Sequence, residues 1–131
     1  MSLESVPKVV LCADDDENLL RMMRLYLESY GYEVLTESSG RATLQTAATA
    51  GTLHALVLDY VMPDLSGGEV CSTLKQSKPE LPIIMFSGSC QAIPGRVLNG
   101  VDMVLSKDEG MPALLAALDR LSARPRIQLP D

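Results

Sequence analysis

The sequence predicts an α/β protein in which helices cover both faces of a parallel β-sheet. Three observations carry this. Short runs that are apolar throughout, such as Val9-Val10-Leu11-Cys12-Ala13 and Ala55-Leu56-Val57-Leu58, have strand length and lack the alternation of a half-exposed strand. Segments of helical spacing separate such runs, and the repeated order strand, helix, strand implies parallel strands joined by right-handed crossovers. The two runs also stop at carboxylates, Asp14-Asp15 and Asp59, where a parallel sheet opens into its ligand crevice.

The elements follow in order. Lys8 to Ala13 reads as a buried strand. Asp15 or Asp16 can cap the helix after it, where acids in the first turn suit the dipole. Leu19, Met23, Tyr26, Leu27 and Tyr30 keep helical spacing up to Gly31, a natural stop. Tyr32 to Glu37 is a short strand, Gly40 to Ala50 an alanine-rich helix ending at Gly51, and Ala55 to Asp59 the third strand. Met62 to Gly68 is a turn in which Ser66 can cap a helix running through Gln76. Pro79 and Pro82 bracket a loop before the strand Ile83-Ile84-Met85-Phe86, which ends at Ser87-Gly88-Ser89. Between Gln91 and Gly100, Pro94-Gly95 should shorten or break any helix. Val101 to Ser106 is the fifth strand. Pro112 to Ala123 is the last helix, with Leu114, Leu115, Leu118 and Leu121 on one face.

The 131 residues suffice for one domain with a core, expected over residues 7–123 between an N-terminal arm, 1–6, and a tail or linker start, 124–131. No output segment is expected after residue 123. A net charge of −6 without a basic stripe disfavours direct nucleic-acid binding. Neither a membrane span nor a secretory signal is legible. The three cysteines, Cys12, Cys71 and Cys90, show no C-x-x-C spacing and read as reduced thiols of a cytoplasmic protein: Cys12 and Cys71 in the core, Cys90 towards solvent.

Asp14, Asp15 and Asp59 gathered at one rim would repel one another. At ~5 Å and an effective dielectric of ~20, each pair costs on the order of 3 kcal/mol. A divalent cation is the usual resolution, so a metal site is expected.

Taken together, Val10 to Asp16, Leu58-Asp59-Tyr60-Val61-Met62-Pro63-Asp64-Leu65-Ser66-Gly67, Phe86-Ser87-Gly88 and Leu105-Ser106-Lys107 resemble the receiver domain of bacterial two-component response regulators. The resemblance covers residues 7–123. It implies a three-layer, doubly wound, flavodoxin-like fold with a five-stranded sheet of order 2-1-3-4-5. It also implies that Asp59 accepts a phosphoryl group from a phosphohistidine on a histidine kinase or phosphotransfer protein. Asp14, Asp15, Asp59 and the backbone carbonyl of Val61 would hold Mg²⁺ or Mn²⁺. Lys107 would pair with the phosphoryl oxygens, Ser87 would be the switch hydroxyl, and the Gly88 amide would help bind the phosphoryl group. Such a domain is a signalling module that at most catalyses its own phosphorylation and dephosphorylation. The signal would leave through the surface of the fourth helix, fifth strand and fifth helix, to a downstream protein or a second copy in a homodimer. The chemistry agrees: Mg²⁺ favours few carboxylates, waters and phosphate oxygens, and phosphoryl transfer needs an in-line nucleophile with positive charge nearby.

Each residue alone has a plainer reading. The three adjacent acids would serve as a solvated capping cluster, Ser87 as a turn residue, Lys107 as a surface cation and Asp64 as a turn former. His54 reads as a loop residue and Met22-Met23 as helix packing. Two departures from the family pattern stand out. Asp108 follows Lys107 where the family has a cis proline, leaving either a trans loop or retained strain. Val104 stands where the family has an aromatic switch, so movement of Ser87 to Gln91 is expected to carry the switch instead. Val61 offers attacking water no hydrogen bond, which predicts slow self-dephosphorylation. The alternative function is a phosphorylation-independent interaction or dimerisation module. An aspartyl phosphatase would need a second aspartate where Val61 stands.

Overall fold

The computed structural model describes residues 6–122. Five strands, β1 (Val9–Ala13), β2 (Glu33–Glu37), β3 (Ala55–Leu58), β4 (Ile83–Ser87) and β5 (Met103–Ser106), form one sheet of order β2-β1-β3-β4-β5, with every neighbouring pair parallel. The helices are α1 (Glu17–Glu28), α2 (Gly40–Thr49), α3 (Gly67–Ser77), α4 (Gly95–Leu98) and α5 (Gly110–Ser122). The expected arm and tail lie outside the described residues, apart from Val6.

Alternating side chains of the central strands feed two cores. Val10, Cys12, Val57, Ile84 and Phe86 meet Leu20, Met23 and Leu27 of α1 and Leu114 and Leu118 of α5. Leu11, Leu56, Leu58, Ile83 and Met85 meet Ala47 of α2 and Val70 and Leu74 of α3. β3 is buried at every position, as a fully apolar run requires of a strand covered on both faces.

Several boundaries differ from expectation. α1 starts after Asp16, whose carboxylate accepts from the Leu19 amide, and it ends at Glu28, so Tyr30 lies beyond it and is exposed. Leu20 replaces Leu19 in the buried stripe, and Leu19 and Tyr26 flank it half-buried. Ser66 caps α3 in a full capping box with Glu69. α4 is four residues long and buries none of them: a 3-10 turn, Cys90–Ala92, precedes it, and Pro94 caps it. β5 starts at Met103, because the Val101 amide is still bonded to Leu98 at the end of α4. A 3-10 turn over Lys107–Glu109 and Gly110, at φ +86°, lead into α5, so α5 begins before Pro112. No peptide bond is cis among the described residues, which settles the Lys107–Asp108 bond as trans.

Cys12 and Cys71 are core thiols; burial pushes Cys12 up to about 12, which keeps it protonated. Cys90 is half-buried instead of facing solvent freely, with its thiol directed at the carbonyls of Ser87 and Leu105. Among the described residues no helix is long and apolar enough to cross a membrane.

Candidate functional site

β1 and β3 are neighbours with Ala13 paired to Leu58, so the next residues, Asp14 and Asp59, emerge side by side at the carboxyl edge of the sheet. The Asp59 amide donates to the Ala13 carbonyl and the Asp14 amide to that of Glu37, which fixes both backbones. Asp14 is 1% and Asp59 6% exposed, whereas Asp15 is open to solvent. Carboxylate oxygens of the three lie within 4.8 Å of one another. The sequence therefore located the trio, and packing of two strands brings it together.

Lys107 reaches the same point from beyond β5. Its ammonium lies 2.7 Å from Asp14 Oδ2 and 3.2 Å from Asp59 Oδ2. Burial pushes the Asp14 carboxyl up, opposed by the hydrogen bond from Lys107 and that from the Asp16 amide to Asp14 Oδ1, 2.9 Å. At Lys107, burial disfavours the charge, but the hydrogen bond to Asp14 and attraction to both carboxylates outweigh it and raise the ammonium's pKa. One cation thus offsets two buried anions.

Ser87, the last residue of β4, is buried at the same carboxyl edge of the sheet, and its hydroxyl oxygen accepts from the Ser89 amide, 3.1 Å. Gly88 follows, exposed, with the Lys107 stem 4.0 Å from where a Cβ would stand. Val61 lies on the loop after β3 with its side chain 56% exposed. The donor set fits a hard divalent cation: all oxygens, two of them on buried carboxylates whose repulsion a cation relieves, and no imidazole or thiolate in the cluster.

Three residues matter here in ways the sequence did not reveal. A Cβ at Gly67 would sit 2.4 Å from the Asp59 carbonyl oxygen and 2.8 Å from Tyr60 Cα, so the start of α3 presses on the acidic residue's own backbone. The Gly67 amide donates to Tyr60 O at 2.7 Å. Asp64 is more than a turn former, since its two oxygens accept from the Gly40 and Arg41 amides at 2.8 and 2.9 Å. His54 Nδ1 accepts from the Val9 amide at 2.9 Å, joining the entrances of β1 and β3 at the pole away from the acids. Gly67 had a visible signal, its place in the Leu58–Gly67 motif. The partners of Asp64 and His54 are distant in sequence, and no local pattern marks them.

A family model described as the response regulator receiver domain matches residues 10–119. The chain belongs to the response regulator receiver family. This receiver is 39% identical over 127 residues to the alkaline phosphatase synthesis transcriptional regulatory protein PhoP of Bacillus subtilis, covering 95% of this chain and 52% of that protein. It thus spans about half the length of the curated relatives it matches. Its fold is that of response regulator protein TrrA from Thermotoga maritima in complex with Mg²⁺-BeF, with TM-score 0.81 and 24% identity over 87% of this chain and 98% of that one. The receiver is also similar, at TM-score 0.79 and 24% identity over 87% of this chain and 97% of the other, to a chain in the crystal structure of histidine kinase ThkA in complex with TrrA.

Proposed function

We propose that this receiver takes a phosphoryl group onto Asp59 from a phosphohistidine of a histidine kinase or phosphotransfer protein, with Mg²⁺ or Mn²⁺ bound by Asp14, Asp15, Asp59 and the Val61 carbonyl. The observation that carries the reading is Lys107, just beyond β5, bridging two buried aspartates at the ends of the neighbouring strands β1 and β3. The divalent cation supplies charge that lets the carboxylates coexist with an incoming phosphate. An Asp59 oxygen attacks phosphorus, the P–N bond to the histidine breaks, and the electron pair stays on the imidazole. The Lys107 ammonium, with three protons to give, turns from Asp59 to the transferred oxygens. The Gly88 amide and the Ser87 proton complete the cradle. The Ser87 oxygen already accepts from Ser89, so movement of Ser87 towards the phosphoryl group pulls the segment to Gln91 with it.

The location follows as cytoplasmic, where such donors work. The outgoing surface is α4, β5 and α5, where Leu98 and Val104 are 39% and 37% exposed. A downstream protein or a second copy of the chain would dock there. The four-residue α4 and the aliphatic Val104 favour a second reading, a module that signals through binding without phosphate.

Incubation with acetyl phosphate and Mg²⁺, followed by intact mass, separates the two. A phosphoryl mass increment in wild type that is lost in Asp59→Asn supports the first reading; an unmodified wild type overturns it. Crystal structures with and without beryllofluoride then test whether Ser87 to Gln91 moves.

A further inference from the structure

The loop from Asp59 to Gly67 carries one acid that the proposed chemistry does not use. Asp64 spends both carboxylate oxygens on the first amides of α2, Gly40 N at 2.8 Å and Arg41 N at 2.9 Å. Those two bonds hold its carboxyl down to about 2, although the side chain is exposed. α2 has no acid in its own first turn and relies on Ser39, whose hydroxyl accepts from Ala42, for its remaining cap. The negative charge at this helix start therefore comes from a loop far away in sequence.

The same contact fixes the loop. Leu65 sits so close to Gly40 that a Cβ there would lie 2.7 Å from the Leu65 Cβ. Met62 is buried, and the Gly67 amide holds Tyr60 O. Val61 falls between the anchored Tyr60 and Met62, with its side chain outward. α2 itself is tied to the body by Thr43 and Ala47, both fully buried. The loop is thereby referenced to the packed face of the sheet and not to its own turn alone.

We infer that Asp64 is a positioning residue, clamping the β3–α3 loop to the start of α2 so that the Val61 carbonyl is held at the metal-binding edge of the aspartate trio. The inference rests on the phosphoacceptor reading above. A ligand carbonyl works only when its place is fixed by its surroundings, and outer groups that orient ligands typically carry about 10–100-fold of metal affinity. Asp64 acts through three residues of backbone, so a smaller share is expected.

The test is calorimetric titration of Mg²⁺ into the full chain, alongside melting temperature. Asp64→Ala should weaken Mg²⁺ binding about threefold to tenfold, and Asp64→Asn, which keeps one acceptor oxygen, should fall between it and wild type. Ser39→Ala removes the other cap of α2 and should lower the melting temperature while leaving Mg²⁺ affinity unchanged. Equal Mg²⁺ affinity in wild type and both Asp64 variants overturns the positioning role while leaving the phosphoacceptor reading intact. A matching loss in Ser39→Ala also overturns it, because the effect would then be general helix destabilisation. A wild type that binds no Mg²⁺ overturns the reading, and the positioning role falls with it.

Discussion

The β1–β3 half of this receiver and its α4–β5 segment belong to one domain but differ in how they are held. β3 is buried at all four positions, and the helices around it bury full stripes. α4 buries none of its residues, and β5 buries one of four. Asp14 and Asp59 sit in the first region. Val104 sits in the second, where the family carries an aromatic residue. The contrast teaches that the paired carboxylates are placed by packing from both faces, while the α4–β5 segment is held by little packing and carries the departure from the family pattern.

The comparison is broken most severely if the two halves respond alike to truncation. Leu56→Ala should lower stability by about 2–5 kcal/mol, because a fully buried strand side chain leaves a cavity. Leu98→Ala, at a half-exposed position on α4, should cost under about 1 kcal/mol. Urea unfolding of both variants checks the pair; similar losses would show that α4 carries more of the fold than its burial indicates.

Next in size is the cation inside the acidic pocket. Lys107→Ala leaves Asp14 and Asp59 facing each other without it, at a cost on the order of 1–3 kcal/mol. Mg²⁺ should then raise the melting temperature of the variant more than that of wild type, since no ammonium competes for the carboxylates. A smaller rise in the variant would mean that lysine and metal cooperate instead.

A third test uses acid. The Asp64 carboxyl is lowered from 3.8 to about 2 in the fold. Its contribution is therefore present above pH 3.8 and is lost as pH falls towards 2. Asp14, raised in the fold by burial, works with the opposite sign: its share is full below the unfolded value and is lost as pH rises through the folded one. Melting curves of Asp64→Asn should accordingly fall less steeply than wild type between pH 4 and 2. Parallel curves would mean that the loop clamp has no energetic weight.

The smallest expected effect is kinetic. Val61→Asn places a hydrogen-bonding group at an exposed position beside the acceptor and should speed loss of the phosphoryl group by about threefold to tenfold, or up to ~1.4 kcal/mol of barrier. Phosphate release from both proteins decides it; an equal or faster wild type would show that water attack is limited elsewhere.

The fold was legible because three apolar runs of strand length end at Asp14, Asp59 and Ser87, with helical spacing between strand-length segments, and the acids mark which end of the sheet opens. Asp14, Asp59, Ser87 and Lys107 were legible as strand-end residues for that reason. What stayed hidden depends on contacts between distant parts of the chain. Asp64 looks like a turn residue until α2 is placed beside it, and His54 looks like a loop residue until the Val9 amide reaches its ring. Element ends shifted where local caps compete, as at Gly110 and Val101. Tyr30 kept the helical period after the helix had stopped, since periodicity cannot sense a cap.

Gly67 has a consequence for variation. Its missing methyl is space already filled by the carbonyl of Asp59, so a saturation library should show an empty column at that site, with alanine rejected as firmly as tryptophan. One residue on, Gly68 faces a rotatable methyl of Val97 at 2.9 Å, and small substitutions there should survive. Two adjacent glycines of identical chemistry would thus differ sharply in how much drift they permit.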